Sequence, residues 1–256
     1  MNELDMTGKA VVVTGGTQGI GRGIATRFLE AGAEVVICAR KPPGTPVAAD
    51  GREAVFVAAD VREVDRCEAV VRATVERFGH LDVLINNAGG APFADAATVS
   101  PRFSASVIAL NLTAPLHFSQ RANAVMQAQP EGGVIINIAS VSGLRPSPGT
   151  AAYGAAKAGL LNLTQSLAIE WAPRVRVNAV SAGLVRTEQA HLHYGDAAGI
   201  ARVAETVPLG RLAEPEDIAD ACLYLASSLS RYVTGANLLV HGGGERPAFL
   251  AAKGAS

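Results

Sequence analysis

Short apolar runs separated by longer amphipathic stretches recur along almost the whole chain, and this rhythm limits the fold more than any other feature of the sequence. The runs fall at residues 10–13, 34–39, 54–57, 82–85, 133–138, 175–180 and 237–240. Between the first two lies a stretch, residues 19–31, whose apolar positions repeat with the period of a helix. Runs that are apolar at consecutive positions, rather than alternate ones, belong to strands buried on both faces. Such a sheet needs helices on both sides, so the rhythm predicts a doubly wound α/β fold of about seven parallel strands. No linker, charge block, low-complexity tract or internal repeat divides the chain, and Lys41-Pro42-Pro43-Gly44-Thr45-Pro46 is only a loop's length of turn formers. Residues 1–256 are therefore expected to form a single domain.

Composition narrows the partners. A chain that is 49% hydrophobic and 18% charged, with a net charge of −1, reads as a soluble globular protein. It lacks the basic excess that a phosphate backbone demands, so nucleic acid is not expected as a partner. Met1-Asn2-Glu3-Leu4-Asp5 carries two acidic residues and no apolar run. It does not read as a secretory signal, and no stretch approaches the ~18 continuous apolar residues of a membrane span. Cys38, Cys67 and Cys222 are odd in number and far apart, which argues for a reducing compartment, the cytoplasm being the expectation. Cys38 ends the run Val35-Val36-Ile37-Cys38 and reads as a buried structural thiol. No His and Cys spacing points to a bound metal.

Immediately after the first strand comes Thr14-Gly15-Gly16-Thr17-Gln18-Gly19-Ile20-Gly21, and a helix follows. Glycines let the backbone turn tightly and approach an anion, while a helix N-terminus presents free N–H groups and partial positive charge. That context suits a pyrophosphate. The spacing from Gly15 is G-x-x-x-G-x-G, rather than the usual G-x-G-x-x-G.

A second constellation lies in Tyr153-Gly154-Ala155-Ala156-Lys157, with Ser140 upstream after the run that ends at Ala139. On a helix, residues four apart leave the same face one turn from each other, so a phenol and an ammonium are paired here. A phenol titrates near ~10 in water, and a neighbouring ammonium is expected to move it toward neutrality. As hydride reaches a carbonyl carbon, negative charge grows on the oxygen. Ser140 is expected to donate a hydrogen bond to that oxygen, and Tyr153 to give it a proton in reduction and take one in oxidation. The group reads as a carbonyl-reducing or alcohol-oxidising site.

Taken in order, Thr14-Gly15-x-x-x-Gly19-Ile20-Gly21, Asn86-Asn87-Ala88-Gly89, Asn111, Ser140, Tyr153 and Lys157 resemble the motifs of the short-chain dehydrogenase/reductase family over nearly the whole chain. The resemblance implies a Rossmann-type sheet that binds NADP(H) or NAD(H) at the carboxyl ends of its strands. Gly15, Thr17, Gln18, Gly19 and Ile20 would form the dinucleotide turn, Asp60 and Val61 would lie near the adenine, and Asn87, Ala88 and Gly89 would line the floor under the cofactor. Gly183, the Val185 backbone and Thr187 would hold the nicotinamide carboxamide and the pyrophosphate. Lys157 would lower the tyrosine pKa and hydrogen-bond the nicotinamide ribose, and Asn111 would hold a water in a proton relay to that lysine. At the end of the second strand an acidic residue would bond the ribose 2′-hydroxyl of NAD; Ala39 stands there instead, followed by Arg40 and Lys41. Arg40 can fork onto a 2′-phosphate, so NADP(H) is favoured, with NAD(H) as the alternative.

The same resemblance makes residues 188–207, with His191, His193 and Tyr194, the segment that covers the substrate. Ala91, Pro92, Phe93, Leu144 and Arg145 follow the cofactor and serine strands and are expected to line an apolar wall, with Arg145 either pairing with an anionic substrate or facing water. The substrate is expected to be a ketone or secondary alcohol. A 3-oxoacyl thioester is the alternative within the class, and a cofactor-binding regulator without turnover the alternative outside it. Ala182 stands where relatives usually carry proline, and His241, where they carry aspartate, is expected to pack or lie at an interface. Relatives are commonly tetramers built on helices around residues 102–128 and 151–171, so a homotetramer is expected, with the tail from Glu245 to Ser256 able to cross into a neighbour's site.

Overall fold

The computed structural model describes residues 3–247 and residue 249, the His193 side chain excepted, so most of the tail that was expected to reach a neighbour lies outside the described residues. Within them the apolar runs form seven parallel strands: β1 (Ala10–Thr14), β2 (Glu34–Ala39), β3 (Val55–Ala58), β4 (Val83–Asn86), β5 (Gly133–Ser140), β6 (Val175–Ala182) and β7 (Asn237–Val240). Their spatial order is β3-β2-β1-β4-β5-β6-β7. Helices α1 (Gly19–Glu30), α2 (Val64–Phe78), α3 (Pro101–Ile108), α4 (Ala114–Ala128), α5 (Ala151–Trp171), α6 (Ala197–Thr206) and α7 (Pro215–Ala226) surround the sheet, which is the expected Rossmann-type architecture. A π-helical turn, Ala109–Thr113, joins α3 to α4.

The consecutive apolar residues of β1 are explained by two cores. Val11 and Val13 pack with Ile24 and Phe28 of α1 and Ile218 and Leu223 of α7, whereas Val12 packs with Phe118 and Met126 of α4 and Leu167 of α5. Each fully buried side chain of this kind contributes about 1.5–3 kcal/mol. All three cysteines are buried and free, and burial pushes the Cys38 thiol up to about 12 and the Cys67 thiol up to about 11, as suits structural residues. Among the described residues no helix is long and apolar enough to cross a membrane, and no group of acidic, His and Cys side chains is arranged to hold a metal.

β5 and β6 run farther than periodicity predicts, because they pair from Gly133↔Val175 to Ser140↔Ala182. Ser140 is thus the last residue of a strand rather than the first of a loop. The ladder also holds Ala182, where relatives carry proline. A hairpin that periodicity missed, Ala48–Ala49 with Arg52–Glu53, turns on Asp50 and Gly51, whose φ values of 49° and 75° suit the type I′ turn favoured by an Asp-Gly pair.

Buried polar groups set the position of α5. Asn86 donates from Nδ2 to Ser119 Oγ and to Asn137 Oδ1, each at 2.9 Å, and Asn137 Nδ2 donates to Thr164 Oγ1 at 2.9 Å. This chain ties β4 and β5 to α4 and α5. A satisfied buried network tolerates one arrangement only, so it fixes the rotation of the helix that carries Tyr153 and Lys157.

Candidate active site

The chain leaves β1 toward β2 and β3, then returns to the other side of β1 as β4, so the connections diverge at the carboxyl ends of β1 and β4. Ligands of open α/β sheets bind at such a switch point. Thr14 fixes its edges: Oγ1 accepts from the N–H groups of Asn87 and Ala88 at 2.9 Å each, and Asn87 Nδ2 donates to the Thr14 carbonyl at 2.9 Å. A cavity of about 630 Å³ opens there and runs from Arg40 and Asp60 to Tyr153 and Tyr194. Every residue that the family resemblance assigns to the cofactor lines it.

At the glycine turn, α1 begins without a side-chain cap from Gln18, and Gly19 has a φ of 52°, which favours glycine. A Cβ on Gly21 would overlap the Gly15 carbonyl oxygen, so this second glycine lets the turn close on the helix. The Gly19 N–H donates instead to Glu188 Oε2 at 3.1 Å. A carboxylate therefore sits where the helix N-terminus would hold a phosphate. At the opposite end, Arg62 forks onto Asp60 at 2.9 and 2.6 Å and holds the Asp60 carboxyl down at about 2, with Arg40 adding to the effect. Arg62, Glu188 and Gln189 line the cavity although no motif marked them. The opposite charges of Asp60 and Arg62, two residues apart after a strand, were the available signal for the first.

At the chemical end, Ser140 Oγ accepts the Ser142 N–H at 3.1 Å and hydrogen-bonds the Tyr153 phenol. Lys157 is only 3% exposed; its Nζ donates to the Ile138 carbonyl at 2.7 Å and lies 5.6 Å from the Tyr153 ring centroid. The expected lowering of the tyrosine pKa by this ammonium is not found. Burial pushes the phenol above its usual value, the Ser140 hydrogen bond offsets this only in part, and burial drives Lys157 itself down to about 8. Desolvation is the larger cause in both groups.

Asn111 is held by the loop after β4. It does not line the cavity, and its side chain is spent on a staple: Oδ1 accepts the Gly90 N–H at 2.9 Å, while Nδ2 donates to Gly90 O at 3.0 Å and Val107 O at 2.9 Å. A Cβ on Gly89 would stand 2.7 Å from Asn111 Oδ1 and 3.3 Å from Lys157 Nζ, so the bare glycine leaves room for both side chains. Pro115, four residues on, has no N–H to offer the Asn111 carbonyl.

The substrate end is more polar than the apolar wall expected from sequence. Ser142, Arg145, Thr150, Gln189 and Tyr194 line it. Of the residues expected there, Ala91 and Arg145 do so, Pro92 lines a smaller cavity of about 90 Å³ beside it, Leu144 is 50% exposed, and Phe93 is 79% exposed and packs over Gly149. The covering segment holds a one-turn helix, His191–Tyr194, that turns Tyr194 inward and leaves His191 outside, its ring against the Glu188 carbonyl at 3.1 Å. The His241 Cα and Cβ lie against Gly183, where a Cβ would stand 2.7 Å from each.

Comparisons with known proteins agree with this geometry. Residues 14–245 match the family model described as enoyl-(acyl carrier protein) reductase. The chain is 39% identical over 245 residues to the L-rhamnose 1-dehydrogenase (NAD(P)(+)) of Azotobacter vinelandii, covering 92% of this chain and 96% of that protein. It is 35% identical over 247 residues to the 2-dehydro-3-deoxy-D-gluconate 5-dehydrogenase of Escherichia coli, covering 95% and 98%. The ligand-free structure of Thermoplasma acidophilum aldohexose dehydrogenase superposes with a TM-score of 0.86 at 30% identity, covering 94% of each chain.

Proposed function

The chain belongs to the short-chain dehydrogenase/reductase family, and on that premise we propose that it is an NADP(H)-dependent oxidoreductase interconverting a CH–OH group and a carbonyl on a carbohydrate-like substrate. One observation carries the reading: a Tyr153 phenol, hydrogen-bonded by Ser140 and backed by Lys157, faces the cavity at the switch point of the sheet. The residues present fit a dinucleotide. The Glu188 carboxylate on the α1 N-terminus is a stand-in for a phosphate, and the cavity falls in the ~300–1,000 Å³ range of small-molecule sites.

When bound, the nicotinamide would supply or accept the hydride. In oxidation Tyr153 takes the substrate hydroxyl proton and in reduction it gives one back, while Ser140 donates a hydrogen bond to the same oxygen in both directions. Lys157 stands behind the phenol, and a water held at Asn111 would carry the proton outward. The polar lining favours a hydroxylated substrate over a 3-oxoacyl thioester, and the retention of Asn111, Ser140, Tyr153 and Lys157 favours turnover over a silent regulator. We read residues 1–256 as one such unit acting in the cytoplasm as a homotetramer; Ile169, 82% exposed on α5, lies on a helix assigned to subunit contact.

The test is absorbance-monitored oxidation of sugars, polyols, cyclic alcohols and hydroxysteroids with NADP⁺ and NAD⁺, on the wild type and Arg40→Ala. The wild type is expected to favour NADP⁺, and removal of a fork onto a 2′-phosphate to cut that preference by about tenfold or more. A wild type that prefers NAD⁺ contradicts the role given to Arg40. Displacing Glu188 opposes cofactor entry, so Glu188→Gln is expected to tighten NADPH binding about two- to fivefold, the worth of a charge at a helix end. Fluorescence titration measures this, and weaker binding in the variant contradicts it.

A further inference from the structure

One partly exposed ion pair, Arg145–Glu245, stands at the edge of the cavity. Arg145, in the loop after β5, lines the cavity; its Nη2 donates to Glu245 Oε1 at 2.5 Å and its Nη1 to the Pro146 carbonyl at 3.0 Å. Glu245 comes from the segment after β7 and is not part of the lining. Tyr194 lines the same cavity as Arg145 and Tyr153 and feels the charges of Tyr153, Glu245 and Arg145. A guanidinium has five N–H donors. Among the described residues, Glu245 and Pro146 take two of them.

The charge balance decides what the remaining donors suit. A bare guanidinium selects a carboxylate or phosphate through a bidentate pair. Here Glu245 already neutralises it, and a second carboxylate arriving from the cavity would share the cation with a like charge. Hydroxyl oxygens accept the same N–H groups without that repulsion. Resting on the function proposed above, we propose that the Arg145–Glu245 pair makes the site select neutral polyhydroxylated substrates and reject their carboxylate counterparts. Specificity here is built by opposing the wrong ligand as much as by binding the right one.

The experiment compares kcat/KM for L-rhamnose, D-glucose and D-gluconate, with cyclohexanol alongside, in the wild type, Glu245→Gln and Glu245→Asp. Each ratio of sugar acid to neutral sugar is taken on one preparation, so it does not depend on the fraction folded. The wild type is expected to favour the neutral sugars by about tenfold or more, Glu245→Gln to cut that preference by about tenfold, and Glu245→Asp to keep it. A wild type that prefers gluconate, a Glu245→Gln ratio within about twofold of the wild type, or turnover of cyclohexanol but of neither sugar overturns the inference and leaves the proposed function standing. Absence of cofactor reduction with every alcohol overturns both.

Discussion

Lys157→Met is expected to yield a protein that is more stable at neutral pH and nearly inactive. The lysine is buried, and its only hydrogen-bond acceptor among the described residues is the Ile138 carbonyl at 2.7 Å. Burial lowers its pKa from 10.5 to about 8, so the unfolded chain holds the proton more tightly than the folded one. Stability therefore rises with pH between about 8 and the unfolded value, and below about 8 the whole penalty is present. A displacement of that size corresponds to about 3 kcal/mol. Methionine matches the length without the charge, and orphaning the Ile138 carbonyl returns about 1–2 kcal/mol of the gain. The net expectation is about 1–2 kcal/mol of added stability near pH 7, gone near pH 10, with kcat lowered about 10²- to 10³-fold. Denaturant unfolding at the two pH values, beside a turnover assay, checks both halves. A variant less stable than the wild type near neutrality contradicts the buried-charge account of Lys157.

The frame of this site was legible because its signals are local. Consecutive apolar residues marked β1 as buried on both faces, and Thr14 to Gly21 marked a turn onto a helix N-terminus that the structure leaves without a side-chain cap. What was not legible depends on partners distant in sequence. Ser140 ends a strand because Ala182 pairs with it, and no property of either residue announces the other. The Asn111 amide turns to Gly90 because a π-helical turn presents it there. Periodicity cannot say that Tyr194 faces the cavity while His191 does not, since both lie in one short turn whose docking is tertiary. The tyrosine pKa was misjudged because spacing reveals the neighbouring charge but not the depth of burial opposing it.

Tyr153→Phe is expected to remove catalysis and little else. Phenylalanine keeps the ring and its packing, so α5 and the cavity wall should persist, while the one group placed to exchange a proton with the substrate oxygen is lost. General acid–base groups of this kind contribute about 10²- to 10⁴-fold, and here the loss also removes an oxyanion donor. Ser140 cannot substitute, because its Oγ is held by the Ser142 N–H and its proton is needed for the oxyanion itself. The direct measurement is kcat/KM for alcohol oxidation together with the NADPH dissociation constant, on wild type and Tyr153→Phe at the same pH. The prediction is a fall of about 10³-fold or more in kcat/KM, about 4 kcal/mol of transition-state stabilisation, with the dissociation constant unchanged within about twofold. Turnover in the variant above about a tenth of the wild type would contradict the assignment of Tyr153 as the proton carrier.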